Sequence, residues 1–228
     1  MYSTISGKAW DVPNSDLVVQ LKQERPAAWW RDNKMVFVAG VAKKLGNGTI
    51  GNTLFNDRGA DAYSAFENLM AKIDRAAEVA FRVLDRCGSV DPNAVPVLRL
   101  QKWEPFPRRD DDFPLMCFSS LSRLLYLMDT SKKDFNVFIR DDRDDDGGVT
   151  RHACIAVGDD IVFMAKPSFE KREVMSNLVT AVAGALAMLE KFQGIAWNLM
   201  VDSSDAEYDI RLELGNKESK LVRSNGND

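Results

Sequence analysis

The chain has 228 residues, 45% of them hydrophobic and 28% charged, with a formal net charge of −4. This is ordinary for a soluble globular protein, allows a full core as one large domain or two tightly packed halves, and argues mildly against a nucleic-acid binder, since such domains are often basic. Cys87, Cys117 and Cys154 are odd in number and far apart, so free thiols in a reducing compartment are expected rather than a disulfide framework.

The opening MYSTISGKAWDVP carries no apolar signal core, and no run approaches the roughly 18–20 uninterrupted apolar residues of a membrane span. A cytosolic protein is the expectation. Ser3–Trp10 alternates as a strand, and Pro13-Asn14-Ser15-Asp16 is a turn. In the next strand Leu17, Val19 and Leu21 oppose Gln20, Lys22 and Glu24. Met35–Val41 is apolar on both faces and predicts a central strand. Gly46-Asn47-Gly48 turns the chain into a fourth strand, Thr49–Phe55, with Gly59 leading on to a helix.

That helix, Ser64–Cys87, organises the rest. Phe66, Leu69, Met70, Ile73, Ala76, Ala77, Ala80, Phe81 and Leu84 recur at the 3.6-residue period, with charges opposite. Ser64 and Glu67 read as its capping box and Gly88 as its C′ glycine. The second half begins at Pro92–Pro96, with an alternating strand at Val97–Trp103 and a loop around Pro105 and Pro107. Leu115–Met128 is ambiguous: its first part suits a strand, and Leu121–Asp129 suits a helical turn or two. Phe135–Arg140, Thr150–Val157 and Ile161–Lys166 read as strands joined by turns at Gly147-Gly148 and Gly158-Asp159-Asp160. Ser168 is the expected cap of a second long helix to about Phe192, with Val174, Leu178, Val182, Leu186 and Leu189 as its stripe. Ala181, Ala183, Ala185 and Ala187 suit its close approach to a sheet, and Ile195–Val201 suits packing on the fold.

Residues 1–202 therefore read as one α+β domain of two pseudo-repeats, 1–88 and 94–194, each strands followed by a long helix. Residues 203–228, polar and charged, are expected to form a mobile tail.

No G-x-G-x-x-G, P-loop or nucleophile elbow is present. His152, the one histidine, shares a strand face with Cys154; a packed core pair is favoured over two metal ligands, since structural zinc needs four. Asp141-Asp142-Arg143-Asp144-Asp145-Asp146 is an acidic hairpin that could attract Mg²⁺ or Ca²⁺ and serve a metal-dependent enzyme, but it lacks an EF-hand's closing glutamate, and a solvated turn is the favoured reading. Asp110–Asp112 reads likewise. Neither a cofactor, a metal nor a catalytic residue is expected.

Charge distribution is more informative than its sum. Residues 1–56 carry seven Lys or Arg against four acids, a local surplus of three. Indoles and cations interleave at Trp29-Trp30-Arg31 with Arg25 and Lys34, and at Lys102-Trp103 with Phe106, Arg108 and Arg109. Lys8 with Trp10 and Arg99 with Trp103 repeat the combination on strand faces. Single-stranded nucleic acid is held this way: cations track phosphates, and each stacked base adds roughly 1–3 kcal/mol. The competing reading places the same aromatics at a core edge or a subunit interface. The two stand level for Trp29 and Trp30, while a surface role is favoured for Trp10 and Trp103.

The strands-then-helix order used twice, over about residues 3–193, resembles the Whirly fold of plant Whirly proteins and trypanosome mitochondrial RNA-binding proteins. The resemblance implies two antiparallel sheets associated with two long helices, and nucleic acid running along sheet edges and faces. The plant K-G-K-A-A-L motif is absent, and Val41-Ala42-Lys43-Lys44-Leu45 does not replace it, so no family residue carries over. A narrower likeness is to RNA-binding proteins associated with the nucleus-like shell of jumbo bacteriophages. It implies phage messenger RNA as ligand, a phage shell protein as partner and the host-cell cytoplasm as location.

The expected function is non-enzymatic binding of single-stranded RNA or DNA, RNA favoured, with little sequence preference. Lys8, Lys22, Arg25, Arg31, Lys34, Lys43, Lys44, Arg99, Lys102, Arg108 and Arg109 would meet phosphates; Trp10, Trp29, Trp30, Trp103 and Phe106 would stack on bases. The alternative is a viral or phage assembly protein, homo-oligomeric through those aromatics.

Overall fold

In a computed structural model of the chain, residues 3–25, 36–90, 112–143, 148–204 and 207–216 are described. Nine strands and three helices follow one another among these: β1 Ser3–Asp11, β2 Leu17–Arg25, β3 Val36–Lys44, β4 Ile50–Gly59, α1 Ala62–Cys87, α2 Asp112–Ser131, β5 Phe135–Arg143, β6 Val149–Val157, β7 Asp160–Met164, α3 Lys171–Gln193, β8 Ile195–Ser204 and β9 Glu207–Asn216. The class is α+β with antiparallel sheets of four, three and two strands. The chain gathers into two compact units, Met1–Asp74 with Lys191–Asp228, and Arg75–Glu190. The division falls inside α1 rather than at the end of the first pseudo-repeat.

In the first unit the sheet order is β1-β2-β3-β4. β3, hydrogen-bonded on both sides and buried from Val38 to Ala42, is the central strand that its two apolar faces predict. Val19 and Leu21 pair with Val41 and Ala39 on one face; Gln20 pairs with Gly40 on the other. Gly40 is glycine for a reason of space: a Cβ there would meet Phe55 O and Thr53 Cγ2, both at 3.0 Å. The gap lets the buried Gln20 amide reach across and donate to Thr53 Oγ1. The β3–β4 turn is closed by Gly48 at φ 80° and by Asn47 Oδ1, which accepts the Thr49 N–H at 3.0 Å. At the end of β4, Gly59 abuts the first turn of α1, where a Cβ would overlap Ala65 N.

The start of α1 differs from the expected Ser64–Glu67 box. The helix begins at Ala62 and Asp61 is its cap: Asp61 Oδ1 accepts the Ser64 N–H at 2.7 Å, and Ser64 Oγ accepts the Asp61 N–H at 3.1 Å. This is a reciprocal box three residues earlier, with serine in the glutamate role. At the other end Gly88 has no positive φ; the last turn tightens instead through i→i−3 bonds from Gly88 to Asp85 and Ser89 to Arg86. The buried stripe is Phe66, Leu69, Ile73, Ala76, Ala77, Ala80 and Val83, so Val83 replaces the expected Phe81, which is 55% exposed. Met70 and Leu84 are half-buried.

In the second unit Leu115–Met128 resolves into one helix, α2, with no strand in its first part. Phe113, Cys117, Phe118, Leu121, Leu124 and Leu125 are buried at helical spacing, and Pro114 is tolerated in the first turn. The three-stranded sheet runs β5-β6-β7, with Gly158 at φ 59° in the β6–β7 turn. α3 begins at Lys171, with Ser168 ahead of the cap position rather than in it; Ser168 Oγ accepts the Glu170 N–H at 3.1 Å and donates to Glu173. α3 is long and apolar enough by length and composition to cross a membrane, yet its stripe Val174, Leu178, Val182, Leu186 and Leu189 is buried within the fold. Ala181 and Ala185 join that stripe, while Ala183 and Ala187 lie exposed. Gly184 sits where a Cβ would come within 2.7 Å of Pro114.

The expected tail at 203–228 is largely ordered structure up to Asn216. β8 and β9 form an antiparallel hairpin paired from Ile195↔Asn216 to Ser204↔Glu207. Tyr208, Ile210, Leu212 and Leu214 alternate with Glu207, Asp209, Arg211 and Glu213, which is a strand pattern under a charged composition.

Candidate nucleic-acid interface

Of the sixteen expected contact residues, Lys8, Trp10, Lys22, Lys43 and Lys44 are fully described, all on the first-unit sheet. Arg25 closes β2, but its side chain is not described. Trp29, Trp30, Arg31, Lys34, Arg99, Lys102, Trp103, Phe106, Arg108 and Arg109 lie outside the described residues, as does the expected Val97–Trp103 strand.

The register separates the five. Lys8 and Trp10 are opposite Leu21 and Val19 on β2, whereas Lys22 is opposite Gly7 on the other face. Lys8 is exposed, and Lys22 is half-buried. The favoured surface role of Trp10 gives way to packing: its ring meets Phe66 of α1 edge-on, with centroids 6.3 Å apart. The cause is the pairing with Val19, which turns the indole toward the apolar face. Phe66 in turn contacts Trp197 of β8 at 5.8 Å, and Trp197 lies 6.3 Å from Phe192.

Lys43 and Lys44 both have acidic partners. Lys44 Nζ donates to both Asp11 carboxylate oxygens at 2.9 Å, and Lys43 Nζ lies 3.6 Å from Asp16. All four side chains are substantially exposed, so each pair is weak and screened by salt. Glu24 has a similar partner in Arg58, 3.9 Å away. Lys72 of α1 caps the same sheet, donating to Asn56 O at 2.8 Å above the Phe55 ring.

The groups considered for metal chemistry fall on β5 and β6 of the second unit. His152 is opposite Arg140, and Cys154 opposite Phe138. His152 and Cys154 are buried, as a core pair requires. Asp142 Oδ1 accepts from Arg140 Nε at 2.7 Å, and Asp142 Oδ2 lies 3.5 Å from His152 Nε2. Burial pushes the His152 imidazole below its ordinary range, against the nearby Asp142 carboxylate, which favours the protonated form. Burial also pushes the Cys154 thiol up to about 12, Cys87 up to about 11, and Cys117 upward, so all three free cysteines stay protonated thiols near neutrality.

Asp141 and Asp142 depart from the expected solvated turn: both extend β5 and are partly buried against Arg151 and Arg140, since strand pairing runs on to Arg143↔Val149. Asp144, Asp145 and Asp146, like Asp110 and Asp111, lie outside the described residues. Among the described residues no group of three or more His, Cys, Asp or Glu is arranged to hold a metal ion.

One residue that sequence reasoning passed over is Phe169, 75% exposed between β7 and α3. Its signal was legible: Lys166-Pro167-Ser168-Phe169-Glu170-Lys171-Arg172 interleaves a ring with cations as Lys102-Trp103 does.

Comparison with known proteins gives no matching family model, no matching curated protein and no matching solved structure.

Proposed function

We propose that this chain is a non-enzymatic single-stranded nucleic-acid-binding protein, favouring RNA over DNA and reading little sequence. The observation that carries this reading is the cation–indole interleaving between Lys22 and Lys34, within a segment of positive surplus. Lys43 and Lys44 have acidic partners in Asp16 and Asp11. The other cations of residues 1–56 are Lys8, Lys22, Arg25, Arg31 and Lys34. These cations lie on β1, on β2 and in the chain that leads from β2 to β3, around Trp29 and Trp30.

Fluorescence anisotropy of a labelled single-stranded RNA, titrated with the full chain over a range of salt, tests it. With about five phosphate contacts, log K should fall against log salt with a slope of about −3.5. Alanine at Trp29 and Trp30 together should weaken binding by about thirtyfold or more if each ring stacks one base. A single-stranded DNA of the same sequence should bind more weakly, and a duplex more weakly still. Absence of binding at low salt, or affinity indifferent to salt, overturns the reading. An assembly role would then be the better account; the exposed Leu45 and Ile50 beside the β3–β4 turn favour it, and it predicts a larger solution mass.

A further inference from the structure

The geometry points to Phe169 as a stacking platform for one base of a single-stranded nucleic acid, with Lys166 and Arg172 placed for the flanking phosphates. This rests on the proposed function but uses none of the residues that motivate it. Among the described residues Phe169, at 75%, is the most exposed large hydrophobic side chain. Scattered apolar groups on a surface are ordinary. What sets this one apart is the fixing of the backbone that presents it.

Ser168 forms an isolated antiparallel bridge with Arg151 of β6: Arg151 N–H donates to Ser168 O at 2.9 Å, and Ser168 N–H to Arg151 O at 3.1 Å. The Arg151 guanidinium donates to Phe169 O itself, and is held in turn by Asp141 at 3.2 Å. On the far side Glu170 N–H bonds to Ser168 Oγ, and Glu170 O accepts the Val174 N–H that opens α3. Upstream, Asn177 Nδ2 donates to Lys166 O at 3.1 Å. The peptide groups on either side of Phe169 are thus tied to a strand and to a helix, and the ring projects from the knot into solvent. A pre-organised aromatic gives up little conformational freedom on binding.

The surroundings select the ligand. Lys166 and Arg172, both exposed, flank Phe169 three residues away on either side, and Lys171 is half-buried beside it. Glu170 and Glu173 are the acids of the run itself, Glu173 is engaged by the Ser168 hydroxyl, and Asp141 is engaged by Arg151. Within residues 166–172 the ring stands among cations, with Pro167 as its one apolar neighbour in sequence. It suits one flat base with charge on either side.

The full chain and its Phe169→Ala, Phe169→Leu and Phe169→Tyr variants would be titrated against a labelled single-stranded oligouridine. The same proteins would be mixed with anionic phospholipid vesicles, and melting temperatures would be compared. Ala and Leu should each weaken RNA binding by about tenfold, and Tyr should keep it, with melting unchanged in all three. Wild-type affinity in the Ala variant overturns the inference alone, provided the wild type binds. No binding by the wild type overturns the proposed function as well. Retention by Leu overturns stacking in favour of a plain apolar contact. Vesicle binding lost on Ala substitution, with RNA affinity intact, assigns the ring to a membrane surface instead.

Discussion

His152 couples the second unit to pH. Its imidazole is buried on β6, with the charged groups Asp142 and Arg140 facing it from β5 and the neutral Cys154 thiol beside it on its own strand. Burial depresses its folded-state pKa below the ordinary 6.5. In the unfolded chain it takes up a proton near 6.5; in the folded chain it does so only at lower pH. Stability is therefore full above about 6.5 and falls as pH drops from there toward the folded value. Denaturant midpoints between pH 7.5 and 5 should fall in the wild type and fall less in His152→Gln, after allowance for an offset common to all pH values. A parallel pair of curves would remove His152 as the cause. Because this is the chain's one histidine, its imidazole proton signals in an NMR titration report the folded value directly. Burial with Cys154 was legible from their shared strand face. The Arg140–Asp142 pairing was not, because an acidic run gives no sign of where strand pairing stops.

At the scale of single elements the period of the apolar residues decided what could be read. Strands β1 to β7 announce themselves by alternation, by apolar residues on both faces (β3) and by turn chemistry, and α1 and α3 by the 3.6-residue stripe. α2 was half-missed because Leu115–Phe118 is short, apolar and without polar punctuation, a run that suits either state. β9 was missed because charged composition outweighed an alternation that was present. The cap of α1 was placed three residues late, since S-x-x-E is the stronger sequence signature and Asp61–Ser64 the pair that forms. The two caps make different predictions. Asp61→Ala removes the acceptor of the Ser64 N–H and should lower the melting temperature by about 2–4 °C, whereas Glu67→Ala, on the exposed face, should leave it within about 1 °C. Equal effects would restore the later box. Gly59→Ala should be more damaging than either, because its Cβ overlaps backbone rather than a movable side chain. A drop of roughly 1–3 kcal/mol in unfolding free energy is expected.

The whole chain folds as two units with discontinuous membership: residues after Lys191 return to the unit begun by the N-terminal sheet. That return was invisible in sequence, where strands-then-helix twice suggests halves in series. Its physical basis lies in contacts distant along the chain. Phe66 packs on Trp197, Tyr63 Oη donates to Leu199 O at 3.3 Å, Gln193 donates to Asp74 at 2.8 Å, and Lys191 donates to Asn14 O at 2.6 Å. In the hairpin β8–β9, Trp197 is opposite Leu214 and Leu199 opposite Leu212. A chain ending at 216 keeps the whole β8–β9 hairpin. One ending at 202 loses β9 and leaves β8 without its ladder, and the burial of Leu212, 7% exposed, contributes roughly 1.5–3 kcal/mol by itself. At about 2–4 °C for each kcal/mol in a chain of this size, the shorter form should melt roughly 5–10 °C lower. A tail that merely trails from a finished domain would make the two truncations indistinguishable. Calorimetry of the pair separates these outcomes without a ligand. RNA binding by the 216-residue form then tests whether residues 217–228 contribute to recognition at all.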